Sequence, residues 1–80
     1  MYTPNKVYER REQYEKAFVA YVERNSTIPA VAKEKAKEYL KHKRSQEDHF
    51  FDAWLSQKTL SDKEITRAAD WQAEMWLEAF

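Results

Sequence analysis

The chain has 80 residues, and 14 Lys+Arg balance 14 Asp+Glu to a formal net charge of zero, with no Gly, no Cys and two Pro. Without Cys there is no disulfide and no thiolate zinc site. Without Gly there is no phosphate-cradling loop, no dinucleotide fingerprint and no nucleophile elbow.

The length predicts one domain, residues 1–80. Missing Gly argues against β-hairpins, whose tight turns need positive φ. At 42% hydrophobic and 15% aromatic residues the chain is too apolar for disorder. No run approaches the roughly 20 apolar residues of a membrane span, and the polar stretch Met1–Glu15 does not read as a signal peptide. The composition therefore predicts an all-α protein, cytoplasmic, away from membranes, in the form of a small up-down-up three-helix bundle.

The first helix is expected over about 4–25. Thr3 is a good N-cap, and Pro4 at the first helical position loses no hydrogen bond. Val7, Tyr14, Ala17, Phe18, Tyr21 and Val22 fall on one face. Asn25-Ser26-Thr27 interrupts the pattern.

The second helix starts near Thr27 or Ile28, with Pro29 in its first turn, and is expected to reach about residue 57. Ala32, Ala36, Leu40, Lys43, Glu47, Phe50 and Trp54 repeat at spacings of four and three without losing phase, flanked by Tyr39 and Phe51. One long unbroken helix, with Lys43 and Glu47 pairing across a turn, is the preferred reading. The competing reading breaks near Ser45, where Ser45-Gln-Glu-Asp48 could form a capping box.

The third helix, about 62–79, has the clearest start. Ser61 caps it, Glu64 can reach back, and Leu60 can staple onto Ile65. Its expected buried face is Ile65, Ala68, Ala69, Met75, Trp76, Ala79 and Phe80.

The zero charge hides segregation. Residues 26–44 carry six bases and two acids, whereas residues 61–80 carry two bases and five acids. Lys33, Lys37, Lys41 and Arg44 form a candidate phosphate-contacting row for a nucleic acid. The bland reading is a solvated helix face, since Glu34 and Glu38 interleave. A third reading sets the basic half of one copy against the acidic half of another.

Catalysis and metal binding find little support. Glu38, His42, Ser45, His49 and Asp52 share one polar stripe if the middle helix is continuous. The two His are then about 10 Å apart along the axis, too far for one zinc ion. No nucleophile, base and orienter can be assembled, so no catalytic residue, cofactor or small-molecule substrate is expected.

Aromatic excess is the stronger signal. A core of this size should use six to eight large rings on the order-of-magnitude argument that interiors are close-packed, and the chain has twelve. Tyr8 and Trp71 lie about 100° off the expected buried faces of their helices, and Leu77 further still. Trp and Tyr are enriched at interface hot spots. Trp71, Leu77 and Tyr8, with Glu74 and Glu78 beside them, are therefore the expected protein-binding residues.

Two stretches carry local resemblances. Val19-Ala-Tyr-Val-Glu-Arg24 followed by Ile28-Pro29-Ala-Val-Ala32 resembles the first helix junction of the bacterial DNA polymerase III theta subunit family, small helical proteins that stabilise a proofreading subunit. Thr59-Leu-Ser-Asp62, Glu64 and Arg67-Ala-Ala-Asp70 resemble the start of the long helix in the Hha family, whose members modulate nucleoid proteins. The two families have different folds, and neither family's functional residues are carried over. The expected function is a non-catalytic, protein-binding regulator, inhibitor or accessory subunit of bacterial or phage type. The alternatives are a nucleic-acid-associated replication factor and a homo-oligomeric structural protein.

Overall fold

In this computed structural model the described residues are 4–46 and 49–80, and side chains are described from Val7 onward. The Thr3 cap, Tyr2, Glu47 and Asp48 lie outside them. Within them the protein is all-helical: α1 (Pro4–Asn25), α2 (Pro29–Ser45), α3 (His49–Leu55) and α4 (Asp62–Ala79).

The first helix is the hub, because α2, α3 and α4 all pack on it. Its buried side chains are large: Val7, Tyr14, Phe18 and Val22. The facing rows are small, Ala32 and Ala36 on α2 and Ala69 and Ala73 on α4. Small residues one turn apart let two helices approach, and the large α1 side chains fill the grooves between them. Leu40, Leu55, Leu60 and Ile65 complete the buried core. Fully burying a side chain such as Phe18 contributes about 2–3 kcal/mol.

The long unbroken middle helix is not what forms. The helix ends at Ser45, the Gln46 N–H bonds the Lys43 carbonyl at 3.2 Å, and a new helix begins at His49. The Ser45-to-Asp48 capping box falls on residues 47 and 48, outside the described ones, and what is described of Ser45 faces backwards. Its hydroxyl donates back to the His42 carbonyl at 2.6 Å, a bond that competes with continued helix. The break also shifts the buried phase by one residue. Of Phe50 and Trp54, both expected on the seam, Trp54 packs against the core, but Phe50 is 90% exposed, and Phe51 and Leu55 turn inward.

The α1–α2 turn is closed by side chains. Asn25 Nδ2 donates to the Tyr21 carbonyl at 2.9 Å, and Ser26 Oγ accepts from the Ile28 N–H at 3.1 Å. Thus Ser26 and not Thr27 serves the entry to α2, whose cap position is Ile28 with Pro29 following. At α4, Ser61 Oγ accepts from the Glu64 N–H at 3.2 Å, and buried Leu60 and Ile65 flank that cap. Among the described hydrogen bonds, none returns from the Glu64 carboxylate.

The buried row of α4 departs from expectation near its end. Ile65, Ala69 and Ala73 follow a spacing of four, which walks about 40° round the helix per step. Carried on, the row reaches Leu77 and leaves Met75 behind. Leu77 accordingly packs against the core, while Met75, Ala79 and Phe80 are exposed.

Candidate functional site

Seven rings are absorbed into two clusters. Phe18, Tyr39 and Trp76 meet with centroids 5.7 to 6.1 Å apart and join α1, α2 and α4, and Phe80 lies on Trp76 at 4.9 Å. Tyr14, Phe51 and Trp54 form the second cluster, with Tyr14 and Phe51 edge-to-face at 4.9 Å. Phe51 lies between two cations, Lys43 Nζ at 5.1 Å and the Arg11 guanidinium at 6.0 Å from its ring centre. Burial pushes the Tyr14 hydroxyl well above the usual tyrosine range, and neighbouring Tyr39 adds to the shift. These rings hold the fold, and their number is what a core of this size is expected to use.

Outside the clusters Tyr8 on α1, Phe50 on α3 and Trp71 on α4 stay exposed, and on α4 a second large apolar side chain stands beside the ring. Trp71 is 57% exposed and Met75 49% exposed, one turn apart. Glu74 and Glu78 are exposed beside them on the same face. That face points away from the buried row, so its apolar centre and acidic edge are both open to a partner. No described ion pair involves Glu74 or Glu78.

The other expected contact residues do not join this strip. Leu77 is a correction: it is partly buried against the core and unavailable as an edge contact, because the α4 row drifts onto it. Tyr8 is half exposed but sits under the Arg44 guanidinium, 5.7 Å from its ring centre, on the α2 side of α1.

The basic row lines an open groove between α1 and α2 of about 460 Å³. Its apolar floor is Val19, Ala20 and Leu40, and Lys33, Lys37, Lys41 and Arg44 rise from one wall. Ion pairs to α1 cross between the walls at the first and last bases of this row. Lys33 lies 3.7 Å from Glu23, and Arg44 lies 2.5 Å from Glu15. Lys16, Lys37 and Lys41 take part in no described ion pair. Sequence reading found the bases but not the groove, because the carboxylates that face them come from another helix.

The polar stripe of the middle segment is dispersed. Its members divide between α2 and α3. His42 Nε2 pairs with Gln46 at 3.1 Å, and Asp52 is held by Arg11. No group of three or more metal-capable side chains forms among the described residues. No described helix is long and apolar enough to cross a membrane.

Comparison with protein-family models, with curated protein sequences and with solved structures finds no match to this chain. The two stretches with local resemblances are helix junctions here, the α1–α2 turn and the capped start of α4.

Proposed function

We propose that the chain is a non-catalytic protein-binding module, acting as a regulator, inhibitor or accessory subunit, that docks through the outer face of α4. The observation that carries this reading is Trp71. It is the indole left out of both ring clusters, and it stands on a rigid helix with Met75 one turn away. Rigid aromatic anchors of this kind dominate binding energy when a partner pocket encloses them. Glu74 and Glu78 favour a partner whose pocket is rimmed with bases.

The nucleic-acid reading of Lys33, Lys37, Lys41 and Arg44 has less support. Two of these four bases are already neutralised by α1 carboxylates, and the chain as a whole has no basic excess.

The test is a Trp71→Ala, Met75→Ala double variant in a pull-down with the tagged chain from its native cell. Helicity should stay at the wild-type level, and the partner recovered with wild type should be lost. A variant that keeps the partner removes this face from consideration.

A further inference from the structure

The α1–α2 groove and the α4 strip are complementary to each other. The groove has an apolar floor, Val19, Ala20 and Leu40, and outside any described ion pair it carries three amines, Lys16, Lys37 and Lys41, against one carboxylate, Glu12. The strip has an apolar centre, Trp71 and Met75, with the carboxylates Glu74 and Glu78 also outside any described ion pair.

Their spacing matches as well. Lys37 and Lys41 are four residues apart on α2, and Glu74 and Glu78 are four residues apart on α4. Each pair therefore spans about 6 Å along its helix. The stretch from Lys33 to Arg44 is about 17 Å long, and the stretch from Trp71 to Glu78 about 10 Å, so the strip fits between the two ion pairs that cross between the walls.

One molecule cannot satisfy this match alone. The groove is lined only by α1 and α2, and the strip lies on the face of α4 turned away from α1. We infer that the α1–α2 groove is a docking site for the α4 strip of a second copy of this chain. Trp71 and Met75 lie on the apolar floor, and Glu74 and Glu78 pair with Lys37 and Lys41. This rests on the reading of α4 as the docking face and adds its receptor.

The two surfaces differ, so the contact either forms twice, reciprocally, about the two-fold axis of a dimer or repeats head to tail into rings or longer species. A single helix in a groove buries less than the roughly 800 Å² per partner of a standard interface. Contacts of this size are typical of weak, transient association, and this one is weakened further by salt.

The experiment is sedimentation equilibrium of the full chain up to about 1 mM protein at low salt, a range that covers weak association. The expected result is a mass that rises with concentration. Lys37→Glu, Lys41→Glu should lower association at least about tenfold, as should Glu74→Lys, Glu78→Lys, and an equal mixture of the two should restore it. All four side chains are exposed, and circular dichroism checks that the variants keep their helices. A readout needing no variant is zero-length carbodiimide crosslinking of the wild type, which should join Lys37 or Lys41 to Glu74 or Glu78 between copies. A strict monomer at the highest concentration overturns the proposal, as does a mixture that fails to reassemble or a crosslink map lacking these pairs. A monomeric chain that still loses a foreign partner through Trp71→Ala, Met75→Ala rejects self-docking and leaves the α4 reading standing. A chain that self-associates regardless of that double variant rejects the α4 strip as the contact.

Discussion

Arg10 Nη1 donates to the Leu55 carbonyl at 2.5 Å, and so the first helix holds the last turn of the third. The same nitrogen reaches the Gln57 carbonyl at 2.8 Å, and Nη2 reaches Leu60 at 3.2 Å. A buried guanidinium thus satisfies three carbonyls of the α3–α4 connection. A planar fork of donors suits this task, and a cation near a helix C-terminus is favoured by the helix dipole.

Replacing Arg10 with Met should therefore be costly despite similar bulk. The variant takes the donor from the buried Leu55 and Leu60 carbonyls, at about 2–4 kcal/mol, while the Gln57 carbonyl keeps the Leu60 N–H. Arg10→Lys should recover part of this, since an ammonium keeps the charge but not the fork. Urea denaturation followed by circular dichroism measures both. A loss below about 1 kcal/mol for Arg10→Met would show that water serves these carbonyls equally well.

The phase shift at the α2–α3 break makes two neighbouring Phe residues unequal. Phe51→Ala removes a ring from the Tyr14–Trp54 cluster and from between two cations, and should cost about 2–3 kcal/mol. Phe50→Ala should change stability by less than about 0.5 kcal/mol, as exposed sites do. Thermal melts of the two variants give the comparison. The reverse order would restore the continuous seam through Phe50.

Truncations on α4 should separate fold from surface. Leu77→Ala should lower stability by about 1–2 kcal/mol, because the side chain packs on the core. Trp71→Ala should leave stability within about 0.5 kcal/mol of wild type. Equal losses in chemical denaturation would mean that Trp71 supports the fold and is not held free for a partner.

Alkaline pH should expose the burial of Tyr14. Its folded pKa is raised, with burial the main cause. The neutral form is thus favoured in the folded state. The associated stability is complete below the unfolded value of about 10 and falls as pH rises beyond it. Melting temperatures from pH 8 to pH 12 should drop above about pH 10, and Tyr14→Phe should flatten the drop. Tyrosinate absorbance should show one hydroxyl titrating after the others. A Tyr14→Phe variant with the wild-type pH profile would place the alkaline loss elsewhere.

Helix content and helix starts were legible because they depend on neighbours in sequence. Ser61 and its Leu60–Ile65 staple needed only a local pattern, as did the Asn25-Ser26 stop. The break after Ser45 was visible as an alternative and underweighted. Hydrophobic phase continued through it, and phase carries no information about whether the backbone between two apolar residues stays helical. Sequence could not say which aromatics the core takes up. Tyr39, Phe51 and Trp76 lie on different helices, and the packing of Tyr39 on Trp76 and of Phe51 on Tyr14 appears only when α1 brings those helices together.

The sequence by itself determined the all-helical class, the absence of Gly- and Cys-dependent motifs, and the segregation of charge into a basic middle and an acidic end. These follow from composition and from periodicities a few residues long. The tertiary structure alone decided which bases are neutralised, that Arg10 holds the α3–α4 connection, and that Leu77 lies inward. Each depends on side chains many residues apart meeting across α1, and the angle at which helices cross is set by the packing of all of them at once.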